Sequence, residues 1–280
     1  MSAGMGLTRL LARPQARTAD NGPAMARVIA FANQKGGVAK TTTTLNLGVA
    51  LAEQGRRVLA VDLDPQGNLT MSQGWNPDEI DRSMFDVLCH RLPITEIVRT
   101  NELDVAVSSI DLAGAELALA SMIGRERALE KALMPVRENY DFVLIDTPPS
   151  LGLLTINALV AADGVIVPVQ CEYLSLRGLV QLENTLSMIR ENLNPNVGIQ
   201  GILATMFDRR LLHSREAVEI LKENFGDLVL NTKIRKTVRY AEAPVKGQSI
   251  FKYDSTGEAA GMYRDLAKEV LDGASARQHA

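Results

Sequence analysis

The sequence predicts an α/β protein whose doubly wound, mostly parallel β-sheet has helices on both faces. Runs rich in Val, Ile and Leu do not alternate with polar residues, which is typical of strands buried on both faces of a parallel sheet. Amphipathic segments separate these runs, and repeated strand–helix–strand units imply right-handed crossovers. The clearest strand-like runs are Val28–Ala32, Val58–Leu63, Leu103–Val107, Phe142–Ile145, Val165–Val169 and Ile199–Met206. The clearest helical segments are Thr42–Gln54, Leu176–Asn192, Ser214–Asn224 and Gly257–Leu271, and Gly55, Gly226 and Gly273 stand just beyond three of them.

Composition indicates an ordinary globular chain with one large core. Of the 280 residues, 46% are hydrophobic and 22% are charged, so the core can be large enough to be stable without disulfide bonds. Cys89 and Cys171 have no metal-ligand spacing, and we expect two reduced core thiols in a cytosolic protein. The net charge of −3 means that any nucleic-acid binding must come from a local basic patch. No apolar run approaches the roughly 18 residues of a membrane span, so no membrane partner is expected.

The two ends of the chain depart from the strand–helix pattern. Residues 1–24 carry Arg9, Arg13 and Arg17 but no continuous apolar stretch, which makes them a poor secretory signal. We expect a disordered tail, or a start extended beyond a natural one at Met25, with a functional basic anchor as the alternative. Residues 275–280 are expected to form a short C-terminal tail. A single domain over residues 25–274 remains.

A glycine-rich loop follows the first predicted strand, and residues 33–42 of it read NQKGGVAKTT. Such a loop points successive backbone N–H groups at phosphate oxygens, and the following helix adds its positive end. Lys40 can reach the β- and γ-phosphates, and the Thr41 hydroxyl can ligate Mg²⁺. Gln34 and Ala39 replace the two glycines of the strict P-loop pattern, and what remains is the two-lysine, deviant Walker A loop. The residues expected to bind nucleotide are Lys35, Gly36, Gly37, Val38, Ala39, Lys40, Thr41 and Thr42.

Three carboxylates stand where predicted strands end. Asp62 and Asp64 close the second strand and, being two residues apart, can point the same way. Asp146 ends the strand Phe142–Ile145. In a doubly wound sheet the ligand lies beyond the carboxyl ends of the strands, so these acids are expected beside the phosphate loop. Capping of the following turns is the alternative role, and it is as good as the functional one for Asp62.

Three motifs in order carry a family resemblance. The stretches ANQKGGVAKTTTTLNLGVALA, VLAVDLDPQGNLT and FVLIDTPPSLG resemble the ParA/Soj branch of the deviant Walker A ATPases, a group that is related to MinD. The resemblance runs from Ala26 to Gly273. It implies a P-loop fold, ATP and Mg²⁺ as cofactors, and slow hydrolysis of ATP that a partner stimulates. Ala39 departs from the commoner glycine. It is harmless in the right-handed helical region, but nucleotide binding would weaken if the position needs a positive φ.

The resemblance also assigns roles to single residues. It makes Asp64 the group that orients or deprotonates the attacking water, and it places Thr41, Asp62 and Asp146 around Mg²⁺. Lys35 would reach across a face-to-face homodimer into the nucleotide of the other subunit. The resemblance places the adenine base near residues 206–208 and the segment Ile234–Pro244, with Met206, Asp208 and Pro244 as the expected contacts.

A basic segment late in the chain is the candidate DNA-binding surface. Between Lys233 and Lys252 a single acid, Glu242, stands against the cations Lys233, Arg235, Lys236, Arg239, Lys246 and Lys252. The stretch RKTVRYAEAPVKGQSI resembles the R-x-V-R-x-x-E-A-P stretch of the family, which implies DNA contacts from Arg210 and Arg239 and extends the expected set to Lys236 and Lys246. No helix-turn-helix is evident, so the contacts should be non-specific and made with phosphates.

The resemblance implies an ATP-driven switch. An ATP-bound dimer would bind nucleoid DNA, a ParB-type partner would stimulate hydrolysis, and the cycle would position a chromosome or plasmid in the cytoplasm. A MinD-like membrane positioner is an alternative, although the C-terminal LAKEVLDGASARQHA carries two acids and fades into small residues. A relative that positions other cargo is a second alternative, because the partner sets the cargo. A relative of nitrogenase iron protein would need paired cysteine motifs, which Cys89 and Cys171 lack.

Overall fold

The computed structural model describes residues 25–171 and 176–278 of the protein, with side chains as far as Gly273. The N-terminal tail expected over residues 1–24 and the last two residues lie outside these ranges. No helix within them is both long and apolar enough to cross a membrane.

The described residues form one eight-stranded sheet with the strand order β3-β4-β2-β5-β1-β6-β7-β8. All neighbouring strands are parallel except β3 and β4, which are antiparallel. The strands are β1 (Arg27–Phe31), β2 (Val58–Asp62), β3 (Val98–Thr100), β4 (Asp104–Ala106), β5 (Phe142–Asp146), β6 (Gly164–Gln170), β7 (Ile199–Phe207) and β8 (Val229–Arg235).

Helices cover both faces of this sheet, which confirms the predicted fold class. One group, α1, α10 and α11, packs together, and α1 also contacts β1, β2 and β5. A second group, α3 to α6, packs together, and α6 contacts β1. The helices are α1 (Lys40–Glu53), α2 (Asn68–Met71), α3 (Met84–His90), α4 (Ala115–Ala120), α5 (Ala128–Leu133), α6 (Leu153–Ala161), α7 (Leu176–Asn192), α8 (Leu212–Phe225), α9 (Arg239–Val245), α10 (Ile250–Tyr253) and α11 (Glu258–Gln278).

The strands that were predicted from apolar runs are the central ones and β4, and only their end residues differ. Edge strands β3 and β8 were missed because their residues are largely exposed or half-buried and carry no continuous apolar run. The predicted end of the last helix was wrong. α11 runs through Gly273 to Gln278, and one interior glycine costs only about 1 kcal/mol, which is too little to stop a long helix.

The register of the central strands positions the site. β5 lies between β1 and β2, and Asp146 at its end is the register partner of Phe31 on one side and of Asp62 on the other. Every residue of β2 and β5 is buried. The carboxyl ends of these strands therefore bring two aspartates to the point where the loop after β1 turns into α1.

A candidate nucleotide-binding site at the carboxyl edge of the sheet

The loop between β1 and α1 has the shape of a phosphate-binding loop. Gly37 has a φ of +71°, a conformation that glycine adopts without strain. α1 begins at Lys40, and the first N–H groups of a helix have no partner within it. Lys40, Thr41 and Thr42, the first three residues of α1, all line one cavity. The loop thus offers the backbone donors and the positive helix end that a phosphate group needs.

Ala39, the last residue of this loop, carries backbone strain directly before α1. Its φ is 70° and its ψ is 34°, in the left-handed region, and it caps α1 without a side-chain hydrogen bond. This conformation costs a residue with a Cβ roughly 1–2 kcal/mol. The position therefore has the positive φ under which the sequence predicted a penalty for alanine.

Lys40 is the cation of the site. Its side chain is buried, and its Nζ donates a hydrogen bond of 3.2 Å to the carbonyl of Asn33. Burial lowers the pKa of Lys40, and the nearby carboxylates of Asp146 and Asp64 partly oppose that shift. A buried ammonium that is held mainly by a carbonyl gains from an anion in the cavity.

Thr41 and Asp146 form the part of the site that fits a magnesium ion. The Thr41 hydroxyl donates a 2.6 Å hydrogen bond to Oδ2 of Asp146. Oδ1 of Asp146 is buried and has no hydrogen-bond partner among the described residues. Burial, and after it the charge of Asp62, raises the pKa of Asp146 well above its ordinary value. A divalent cation would satisfy the orphaned oxygen and stabilise the carboxylate.

Protein ligands alone do not complete a metal shell here. Within residues 25–171 and 176–278, no group of three or more His, Cys, Asp or Glu side chains is arranged to hold an ion. Mg²⁺ commonly binds through one or two carboxylates together with waters and substrate phosphates. The pair of Thr41 and Asp146 fits that kind of site.

Both carboxylate oxygens of Asp62 accept hydrogen bonds from protein groups. Its Oδ1 accepts a hydrogen bond from the N–H of Asp64 at 3.2 Å, and its Oδ2 accepts from the N–H and the hydroxyl of Thr70 at 2.9 and 2.8 Å. Desolvation raises the pKa of this fully buried carboxyl to about 7. These bonds fix the turn that carries Asp64 and α2, which is the capping alternative. A magnesium role for Asp62 stays a prediction.

Asp64 lies in the cavity wall, as the sequence predicted. Its side chain is mostly buried, and its Oδ1 accepts a 3.0 Å hydrogen bond from the N–H of Gln66. Among the described residues no hydrogen bond to its Oδ2 is found. That oxygen is placed to accept a proton or a hydrogen bond from a water in the cavity.

The cavity has a volume of about 600 Å³, which suits a nucleotide. Its walls are the phosphate loop, the segment after β2 and residues 234–250, and Met206 and Pro244 are among the lining residues. Their contact with the adenine base stays a prediction. Further polar residues in the wall were not singled out from the sequence: Gln66, Asn68, Ser72, Thr237, Tyr240 and Gln248. The VDLDPQGNLT motif was the available signal for Gln66 and Asn68.

Asp208 does not line this cavity. Its carboxylate is paired with Arg210 at 2.8 Å, and that hydrogen-bonded guanidinium lowers the pKa of Asp208 to about 2. The expected adenine contact from Asp208 is not visible in this arrangement and stays a prediction.

Lys35 and Val38 also lie outside the 600 Å³ cavity. They line a neighbouring cavity of about 330 Å³ together with Gln170 and Arg177. The Nζ of Lys35 is exposed and donates a 2.9 Å hydrogen bond to Gln170. The two lysines of the signature thus face different spaces, Lys40 the nucleotide cavity and Lys35 the surface beside it.

The basic segment, Lys233–Lys252, is less basic in three dimensions than along the chain. Arg239 pairs with Asp254 and Arg235 pairs with Glu258, so two of its cations have acidic partners from just beyond the segment, and the Arg239 side chain stays exposed beside its partner. Lys246 lies over the ring of Tyr253, 5.0 Å from its centre, and Lys236 is exposed at the cavity rim.

Comparison with known proteins agrees with this geometry. The family described as "AAA domain" matches residues 26–199. Soj, the sporulation initiation inhibitor protein of Bacillus subtilis, is 47% identical over 249 residues, which span 88% of this chain and 98% of that protein. The chromosome partitioning protein ParA of Caulobacter vibrioides is 43% identical over 257 residues, 90% and 96% of the two chains.

Among solved structures, a cobyrinic acid a,c-diamide synthase from Mycobacterium smegmatis with bound ADP and magnesium is 43% identical. It superposes with a TM-score of 0.78 over 88% of this chain and 94% of that one. The phosphate loop, the aspartates at the strand ends and these similarities together identify the family. The chain belongs to the AAA domain family of P-loop proteins and, within it, to the group that contains Soj and the ParA partitioning proteins.

Proposed function

We propose that this protein is an ATP-dependent dimerisation switch that binds DNA non-specifically and hydrolyses ATP to drive chromosome or plasmid partitioning. It would act in the cytoplasm at the nucleoid, with a ParB-type protein that stimulates hydrolysis. The observation that carries the proposal is that Lys40 and Thr41 line one cavity of about 600 Å³ at the end of a deviant Walker A loop, with Asp146 hydrogen-bonded to Thr41 behind the cavity wall.

The residues of this cavity divide the work of phosphoryl transfer. The N–H groups at the start of α1 and the Lys40 ammonium bind the phosphates and offset their charge. Thr41 and Asp146 would hold Mg²⁺, which when bound supplies positive charge to the phosphate oxygens. Relatives solved with ADP, with an ATP analogue and with magnesium support this assignment.

Asp64 acts on the attacking water. Its Oδ2 accepts a hydrogen bond from the water and turns the lone pair of the water oxygen toward the terminal phosphorus. The proton then passes to the carboxylate or to a phosphate oxygen as the bond to the leaving oxygen breaks. The hydrogen bonds that the N–H groups of Asp64 and Thr70 donate to the Asp62 carboxylate fix the position of the loop for this step.

Dimerisation is supported by the position of Lys35. Its ammonium is exposed outside the nucleotide cavity of its own chain. A face-to-face second copy could receive this charge at its own phosphates, where phosphoryl transfer needs additional positive charge. ATP would then stabilise the dimer, and hydrolysis would weaken it.

DNA binding is supported by the basic segment, which lines the nucleotide cavity and also presents cations on the surface. Ile234, Pro244 and Ile250 line the nucleotide cavity, while Arg239 and Lys246 of the same segment are exposed. The state of the nucleotide can therefore influence the surface that meets DNA phosphates. Doubling that surface in a dimer would raise the affinity steeply.

The test is sedimentation velocity with Mg²⁺ and ATP, ADP or no nucleotide, combined with phosphate release. The proposal requires a dimer with ATP only, and slow release of phosphate. A protein that stays monomeric with a non-hydrolysable ATP analogue contradicts the switch. A protein that dimerises but fails to bind DNA points to the MinD-like or other-cargo alternative.

A second candidate function is that of the Mycobacterium smegmatis relative, a cobyrinic acid a,c-diamide synthase. An ATP-dependent synthase would show phosphate release that rises with cobyrinic acid and an amide donor. A partitioning switch would show none of that dependence, and its phosphate release would rise with DNA and a ParB-type protein. Measuring phosphate release with each set of additions separates the two.

A further inference from the structure

Two segments that line the nucleotide cavity are joined by hydrogen bonds outside the cavity. The catalytic segment, residues 62–74, holds Asp64 and α2, and the basic segment holds the candidate DNA contacts. Glu102, in the turn between β3 and β4, forms hydrogen bonds to both. It lies far from either segment in sequence, and no motif marks it.

The contact with the catalytic segment is reciprocal. Nε2 of Gln73 donates to Oε1 of Glu102 at 3.2 Å, and the backbone N–H of Glu102 donates to Oε1 of Gln73 at 3.2 Å. The neighbouring Asn101 side chain donates a 3.1 Å hydrogen bond to the carbonyl of Gln73. Gln73 is only 1% exposed, so this pairing satisfies polar groups that water hardly reaches.

The contact with the basic segment is equally specific. Oε1 of Glu102 accepts a 2.6 Å hydrogen bond from the N–H of Ser249, and Oε2 accepts from the Ser249 hydroxyl. Ser249 is 1% exposed and caps α10, because its hydroxyl accepts hydrogen bonds from the N–H groups of Phe251 and Lys252. Loss of the carboxylate would therefore release a helix start as well as a loop.

Two further contacts show how closely the walls meet. The backbones of Gly74 and Gly247 approach so closely that a Cβ on Gly247 would lie 2.8 Å from the Gly74 Cα. The N–H of Ile250 donates a 2.9 Å hydrogen bond to Asn46 of α1, the helix that begins with the phosphate loop. These contacts join the catalytic segment to the basic segment, and α1 to α10.

We propose that Glu102 is a positioning residue that couples the catalytic segment to the basic segment, so that hydrolysis at one wall changes the DNA surface at the other. This coupling rests on the proposed function, in which the basic segment meets DNA. The Glu102 carboxylate touches neither nucleotide nor DNA in this role. It fixes the relative position of two walls that do.

The test uses the full chain with Glu102→Ala, Glu102→Gln and Gln73→Ala, and Glu96→Ala as the control. Glu96 is an exposed acid in the same region that pairs with Arg82. We expect Glu102→Ala to lower kcat for ATP about tenfold while KM changes less than twofold, because Asp64 is misplaced and the phosphate loop is intact. Glu102→Gln keeps an acceptor for the Ser249 N–H and should recover part of kcat. Glu96→Ala should match the wild type.

Hydrogen exchange tests the coupling without DNA. Gln73→Ala should speed exchange of the Phe251 and Lys252 amides, which lie across the contact, and Glu102→Ala should speed exchange in residues 70–74 as well. Glu102→Ala should also bring the affinities of the ATP and ADP forms for a random-sequence duplex to within about threefold of each other. The coupling is overturned if Gln73→Ala leaves amide exchange at Phe251 and Lys252 unchanged. It is also overturned if Glu102→Ala changes kcat and KM in parallel. If the variants change exchange as expected but the wild-type protein binds no DNA, the coupling stands and the proposed function is contradicted instead.

Discussion

The hydroxyl of Thr41 donates a 2.6 Å hydrogen bond to Asp146, which joins the first turn of α1 to the carboxyl end of β5. The other oxygen of Asp146 is buried without a partner among the described residues. This pair predicts that Thr41→Val lowers ATP affinity in Mg²⁺ by at least about tenfold, because a ligand of a hard cation is lost. Thr41→Ser keeps the hydroxyl and should stay within a few fold of wild type. Titration with a fluorescent ATP analogue, with Mg²⁺ and with EDTA, measures both, and equal affinities of Thr41→Val and Thr41→Ser would contradict the metal assignment.

Lys40→Ala should abolish ATP binding. Lys40 is the buried lysine of the loop and is placed to meet the β- and γ-phosphates, and alanine leaves their charge unopposed. The same titration checks this expectation, with Lys131→Ala as a control for removing a lysine elsewhere. Near wild-type affinity in Lys40→Ala would refute the nucleotide site.

Asp64→Ala should bind ATP, but its rate of ATP hydrolysis should be at least about 100-fold below that of the wild type. Phosphates and metal are still held, while the water loses the carboxylate that orients it. Light scattering should show an ATP-bound dimer that persists, and phosphate release should be nearly absent. Normal turnover would remove Asp64 from the mechanism.

Lys35→Ala should bind ATP but stay monomeric. Lys35 lies outside its own nucleotide cavity, so its loss spares binding in one chain and removes a charge from the interface. Sedimentation with a non-hydrolysable ATP analogue decides the matter. A stable dimer of Lys35→Ala would show that its ammonium does not act across the interface.

Ala39→Gly should stabilise the fold by about 1 kcal/mol. Glycine relieves the left-handed strain at φ 70°, and the larger entropy of the unfolded glycine chain offsets part of the gain. Urea unfolding measures the difference, with Ala50→Gly inside α1 as a control that should lose stability. A destabilised Ala39→Gly would mean that the left-handed conformation is absent in solution.

Much of the fold could be predicted because the central strands are buried on both faces. β1, β2 and β5 are continuous apolar runs, and the polar motifs follow them directly. The edge strands β3 and β8 mix exposed and buried residues, so their sequences carry little strand signal.

The placement of Lys40 and Thr41 at the cavity, and of Asp146 beside Thr41, could be predicted because a motif fixes each residue and its position. Sequence spacing could not show that Thr70 occupies an oxygen of Asp62, since that contact depends on how α2 folds back. It also could not show that Asp208 turns to Arg210, or that Asp254 and Glu258 neutralise arginines of the basic segment. Glu102 is out of reach for the same reason, because its partners come together only through the tertiary fold.

Nucleotide-dependent DNA binding can be measured by a gel shift on unrelated duplexes. The assay compares ATP, ADP and no nucleotide across a salt series, for wild type, Arg239→Glu and the control Arg99→Glu on the exposed edge strand β3. We predict binding with ATP only, without sequence preference and weakening steeply with salt, because each neutralised phosphate releases a counterion. Arg239→Glu should lose most of this binding and keep ATP binding and dimerisation; Arg210→Glu should act in the same direction, and Arg99→Glu should bind like wild type. An ATP-bound dimer that fails to bind duplex DNA at low salt, or equal binding with ADP, would contradict the account.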